Sequence, residues 1–131
     1  THALAKWRIG DCIMKMNYFV VGTNDMPAAV RFYKALFERQ GLNQVAPSDR
    51  MTYWVEQDFA FAVARPFNEQ PATFGNGTMV GFCVGTVEEV RRIHALAIEH
   101  GGTCEGAPGQ RGPKYSAYVR DLDGNKICLS D

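Results

Sequence analysis

The hydrophobic and polar positions of this chain repeat with an offset of 61 residues. The shift lays Asn17-Tyr18-Phe19-Val20-Val21 on Thr78-Met79-Val80-Gly81-Phe82, and Met26, Ala29, Phe32 and Phe37 on Val87, Val90, Ile93 and Ile98. Each copy reads as an apolar run of strand length followed by apolar residues three and four apart, a strand and then a helix. A unit too small to bury its own apolar side must dock on its twin, and the seam between twins is a natural place for a cavity.

Taken in order, residues 16–22 predict a strand, and Thr23-Asn24-Asp25 supplies N-cap residues for a helix opening at Met26-Pro27 and stopped by Gly41. Strands are expected at 42–46, 51–56 and 59–64, with Pro47-Ser48-Asp49 and Gln57-Asp58 as turns. The Pro- and Gly-bearing stretch 66–76 reads as a linker. The second copy opens with a strand at 78–85. Thr86-Val87-Glu88-Glu89 then forms a capping box for a helix reaching about His100, which Gly101-Gly102 stops. A short strand at 103–105, a Gly/Pro/basic loop at 107–114 and a hairpin of 115–120 with 126–129 complete it. Residues 1–15 stand outside the repeat and are expected as a poorly structured N-terminal extension. The single domain is 16–131, with module 1 at about 16–65 and module 2 at about 77–131.

Composition narrows the function classes. With 131 residues and 46% apolar content, one domain with a real core is expected. Lys plus Arg equals Asp plus Glu at 14 each, so no broad field attracts nucleic acid or an anionic membrane, and neither is expected as a partner. No apolar run approaches bilayer length and no signal segment is evident, so a cytoplasmic location is expected. Cys12, Cys83, Cys104 and Cys128 form no C-x-x-C pair, and free thiols follow from that compartment.

The segment Asp25-x6-Phe32-Tyr33, the Gly101-Gly102 stop and the string from Tyr118 to Ile127 (Tyr-Val-Arg-Asp-Leu-Asp-Gly-Asn-Lys-Ile) together resemble the glyoxalase, bleomycin-resistance and extradiol-dioxygenase superfamily, also called vicinal oxygen chelate proteins. The resemblance implies an α+β fold: two βαβββ modules forming a curved mixed sheet, with helices on the convex face and a ligand on the concave one. Strand parity then places Tyr18, Val20 and Gly22, Met79, Gly81 and Cys83, and Lys126, Cys128 and Ser130 toward the ligand. The resemblance also implies metal ligands, two His and a Glu, at three positions that correspond here to Tyr18, Met79 and Cys128. A phenol and a thioether are poor ligands for Mg, Ni, Zn or Fe(II), and Cys128 alone is one soft donor. No metal or other cofactor is therefore expected.

Two readings of Tyr18, Met79 and Cys128 stay open: ligand contacts, or filler of a closed core. As catalytic groups Tyr18 and Cys128 are weak candidates, the thiol needing a nearby cation such as Lys126. The aromatic hairpin of Tyr53, Trp54, Phe59 and Phe61 offers a wall for a planar ligand, and core packing explains it equally well. Trp54 and Tyr118 are carried as ligand contacts. In the loop at 107–114, Arg111 or Lys114 is placed to hold an anion at the cavity mouth, against the plainer reading of solvated charges. Asp121, Asp123 and Asn125 read as turn residues, since the calcium-loop pattern is absent. The leading expectation is a metal-independent protein, forming a homodimer, that binds a small apolar or aromatic molecule. The alternative is a metal-dependent lyase, isomerase or dioxygenase.

Overall fold

A computed structural model of the chain describes residues 13–131. The expected N-terminal extension lies mostly outside the described residues. Of its end, Ile13 to Lys15 are exposed and belong to no helix or strand.

The first module is β1 (Tyr18–Gly22), α1 (Met26–Phe37), β2 (Asn43–Ser48), β3 (Met51–Val55) and β4 (Ala60–Ala64). The second is β5 (Val80–Cys83), α2 (Val87–Glu99), β6 (Thr103–Arg111), β7 (Lys114–Arg120) and β8 (Lys126–Ser130). Strand order is β1-β4-β3-β2 in one four-stranded sheet and β5-β8-β7-β6 in the other. Both sheets are mixed in the same way: the first strand of each module runs parallel to the last, and the other pairs are antiparallel. The internal repeat of the sequence is thus a repeat of topology.

Each helix starts where its sequence provides a cap. The Asp25 carboxylate accepts from the Ala28 amide, with Pro27 in the first turn where its missing N–H costs nothing. Thr86 accepts from the Glu89 amide. The return half of that capping box is absent, because the Glu89 carboxylate is drawn to the Arg92 guanidinium and the Gln40 amide instead. Helix α1 ends at Phe37, earlier than Gly41 suggested. Helix α2 ends with Gly101 at φ 101°, the Gly101 amide donating to Ile98 and the Gly102 amide to Ala97, a left-handed glycine cap.

Ala29, Phe32, Tyr33, Leu36 and Phe37 of α1 and Val90, Ile93 and Ala97 of α2 enter one core with the convex sides of both sheets, among them Phe61, Val63, Val80, Val119, Ile127 and Leu129. Rings from the two modules touch there: Phe82 lies 5.2 Å from Phe61 and 5.3 Å from Phe37, centroid to centroid. Burying each such side chain contributes about 1.5–3 kcal/mol.

Two sequence expectations are corrected. The segment at 107–114 is not a loop: β6 extends to Arg111 and turns tightly through Gly112-Pro113, with Arg111 paired to Lys114. Gly112 supplies the positive φ of 60° that such a turn requires. Pro108 is tolerated because β6 is an edge strand and its register shifts between Gly106 and Gly109. Likewise β2 continues through Pro47 to Ser48, with its own register shift between Val45 and Ser48. In both modules the outer strand carries its proline at a bulge, where no ladder donor is missed.

Candidate functional site

Register divides every strand between a core face and an open face. In the first sheet Tyr18 pairs with Ala60, and Val20 with Ala62, which in turn faces Tyr53. Tyr18, Val20, Ala60, Ala62, Tyr53 and Val55 therefore share the concave side, while Phe61, Val63 and Trp54 point to the helices. The large residues of β4 fill the core while its alanines take the other face, where Ala62 is covered by its neighbours, which settles a strand whose two faces looked alike in sequence. Tyr18 is 56% exposed, and its ring lies 6.4 Å from that of Tyr53. The Tyr53 hydroxyl reaches the Met51 sulfur at 3.6 Å.

In the second sheet Gly81 pairs with Cys128, and Cys128 with Tyr118. Tyr118 is the register counterpart of Tyr53, one strand removed from the parallel pair in each case. Its surroundings differ. The Arg111 guanidinium carbon lies 5.1 Å from the Tyr118 ring centroid, and the Lys126 ammonium lies 5.3 Å from it. Arg111 also donates to the carbonyls of Ala107, Gly109 and Ser116, which folds it back on its own hairpin.

Among the residues expected to meet ligand, Tyr118, Cys128 and Arg111 are brought together on the second sheet. Tyr18 stands on the first. Met79 lies one residue before β5 and is 45% exposed, so neither Tyr18 nor Met79 fills a closed core. Trp54 is corrected: it is 2% exposed and packs against Tyr33, Phe37 and Phe61, because its parity in β3 turns it to the helices. Tyr53 and Lys126 take its place on the concave side. Lys126 was assigned there by strand parity, whereas Tyr53 needed the orientation of β4.

A groove of about 290 Å³ opens where the free edges of β1 and β5 approach, walled by Tyr18, Phe19, Phe59, Phe61, Gly81 and Cys83 among others. A wider trough of about 1040 Å³ lies at the other end of the first sheet, beneath the linker at Phe67 and beside Arg50. It is a broad surface depression, and the candidate site is the concave face with its seam groove.

The turn between β7 and β8 does more than reverse the chain. The Asn125 side chain donates to the Gly22 carbonyl, Asp123 accepts from the Asn24 amide, and Asn24 exchanges two hydrogen bonds with the backbone of Ala72 in the linker. These contacts clamp the second module to the β1–α1 loop of the first. Their partners lie too far apart in sequence to be read locally.

The donor set fits a divalent ion poorly. The phenol of Tyr18, the thioether of Met79 and the thiol of Cys128, at the positions the resemblance implies for ligands, are poor donors for a hard ion, and among the described residues no three His, Cys, Asp or Glu side chains group to hold a metal. His94 is on α2, where its Nε2 lies 3.3 Å from the Cys104 sulfur and burial holds its pKa below the usual histidine value. Cys83, Cys104 and Cys128 are free thiols, and no described helix is long and apolar enough to cross a membrane.

Residues 15–129 match the family model described as Glyoxalase/Bleomycin resistance protein/Dioxygenase superfamily. The crystal structure of a glyoxalase/bleomycin resistance protein from Albidiferax ferrireducens T118 is 39% identical, with a TM-score of 0.82 over 88% of this chain and 96% of that one. A glyoxalase-related enzyme from Fulvimarina pelagi shares the fold at 20% identity, with a TM-score of 0.73 over 90% of this chain and 88% of that one. A lactoylglutathione lyase from Agrobacterium tumefaciens shares it at 19% identity, with a TM-score of 0.65 over 88% and 92%. No curated protein sequence matches the chain.

Proposed function

The chain belongs to the glyoxalase/bleomycin resistance protein/dioxygenase superfamily, and from that premise we propose that it is a metal-independent binder of a small apolar or aromatic molecule. The observation that carries this reading is the character of the concave face. Where a metal-using member needs imidazole and carboxylate, this chain presents a phenol, a thioether and a thiol, two of them well exposed. Tyr18 and Tyr53 offer ring surfaces and dispersion contact to a planar ligand, and Cys128 and Met79 add polarizable ones.

Tyr18, Val20, Val45 and Met79 are exposed apolar residues on or beside the concave faces, and the outer edges at β2 and β6 are unpaired. Covering them favours a second copy of the chain, and a homodimer completes the proposal. Localisation in the cytoplasm accords with the free thiols.

Calorimetric titration with aromatic metabolites and antibiotics, together with elemental analysis of the purified protein, tests the proposal. Heat of binding that is lost in Tyr18→Ala, from protein free of metal, is the expected result. Stoichiometric Ni, Zn, Mn or Fe that raises ligand affinity would establish the metal-dependent alternative instead.

A further inference from the structure

We propose that the concave face of the second module binds a carboxylate, gripped by Lys126, Arg111 and the Tyr118 hydroxyl. This names the ligand class for the small-molecule reading above and rests on it.

Strand β7 lies between β6 and β8, so Tyr118 receives Arg111 from one neighbour and Lys126 from the other. Both cations lie close to a single ring, yet neither meets an acid. The ion pairs among the described residues are Arg92 with Glu89 and Arg120 with Glu105. Ring contact compensates part of the cost of gathering two like charges, and a ligand anion compensates the rest.

The three groups also have donors to spare. Arg111 spends its two terminal nitrogens on the carbonyls of its own hairpin, which fixes the guanidinium plane and leaves its Nε–H unspent. Among the described residues the Lys126 ammonium and the Tyr118 hydroxyl have no hydrogen-bond acceptor. A guanidinium and an ammonium flank the Tyr118 ring from the two neighbouring strands, and donors of this kind suit a carboxylate's acceptor oxygens.

The duplicated scaffold supplies an internal comparison. Tyr53 occupies the equivalent register position in the first sheet, but its neighbours are Tyr18 and Met51. Arg50 reaches the same Met51 sulfur but stacks on Phe67, so the pair of cations against the ring distinguishes the second copy. Exposed aromatic surface at Tyr18 in one module and two cations about Tyr118 in the other suit a ligand class with both an aromatic body and a carboxylate.

The test is a titration of the full chain, carrying ¹³C-labelled tyrosine rings, with benzoate and with its uncharged analogue benzyl alcohol, followed by NMR. Benzoate is expected to bind more tightly and to shift the Tyr118 resonances. In Lys126→Met, which keeps the length of the stem, its affinity falls about tenfold, the loss of one charge-assisted hydrogen bond. Added sodium chloride weakens benzoate but not benzyl alcohol. Equal affinity for the two probes, or an unchanged benzoate affinity in a folded Lys126→Met, overturns the carboxylate assignment and leaves the small-molecule reading standing. Failure of both probes to shift any concave tyrosine overturns both.

Discussion

The Tyr33 phenol donates a 2.6 Å hydrogen bond to Oδ2 of Asp121, joining α1 of the first module to the β7–β8 turn of the second across 88 positions of sequence. The same carboxylate accepts from the Asn125 side chain through Oδ2, and from the amides of Asp123 and Asn125 through Oδ1. Tyr33 is fully buried, and the core rings of Phe32, Phe37, Trp54 and Phe61 surround it. This buried contact joins the Asn125–Gly22 and Asn24–Asp123 hydrogen bonds in fixing how the two modules meet.

Tyr33→Phe keeps the ring and removes the donor. It is expected to cost about 1–3 kcal/mol, as for a buried hydrogen bond to a charged group, read from urea unfolding. Burial, and then the neighbouring Asp121, holds the phenol's pKa well above its ordinary value. Its contribution to stability is thus fully present below about pH 10 and lost as pH rises through the folded pKa. The stability gap between wild type and Tyr33→Phe should shrink above about pH 10, and a gap constant to higher pH would contradict this placement.

Asp121 titrates in an unusual sense. Burial raises its pKa, against the opposing pull of the hydrogen bonds from Tyr33 and Asn125. A raised folded pKa means that its contribution is complete below about pH 4 and declines as pH rises through that folded value. Stability measured for wild type minus Asp121→Asn should therefore be larger at pH 3 than at pH 7. The reverse order would indicate a carboxylate held below its usual range.

Gly102 follows the cap of α2 where the chain passes between two carbonyls. A β-carbon there would lie 2.8 Å from the Arg120 oxygen and 2.9 Å from that of Ala97. Because both obstacles are backbone, Gly102→Ala must displace β7 or the helix end, at about 1–3 kcal/mol. A lowered midpoint in thermal unfolding checks it, and an unchanged midpoint would show that the helix end gives freely.

Trp54 belongs to the core, so its replacement should act on folding and not on ligand. Trp54→Ala is expected to cost about 3–5 kcal/mol in chemical unfolding. The milder Trp54→Phe should retain the wild-type affinity for whatever probe binds the concave face. A selective loss of binding in a fully folded Trp54→Phe would return the residue to the site.

Residue spacing carried the architecture. The 61-residue repeat returns as repeated topology, and the apolar stripe of α1, the Thr86 cap and the glycine stop at Gly101 are local patterns that the chain uses as such. Helix α2 buries Val90 and Ile93 of its expected stripe but takes Ala97 into the core and leaves Ile98 exposed. Parity within a strand likewise told which side of β1, β5 and β8 meets the helices. It failed for β3 and β4, where apolar residues on both faces gave alternation nothing to mark. It failed again in β6, whose glycines and proline imitate a loop although an edge strand with bulges accommodates them.

The sequence by itself thus determined two βαβββ units, because strand length, helical stripe and cap are each written in neighbouring residues. Only the tertiary structure decided that Trp54 is core, that Asp121 and Asn125 clamp the modules, and that Arg111 and Lys126 converge on Tyr118. Those relations join residues from different strands and modules. Their energies come from burial and from charges brought close, which no local period encodes.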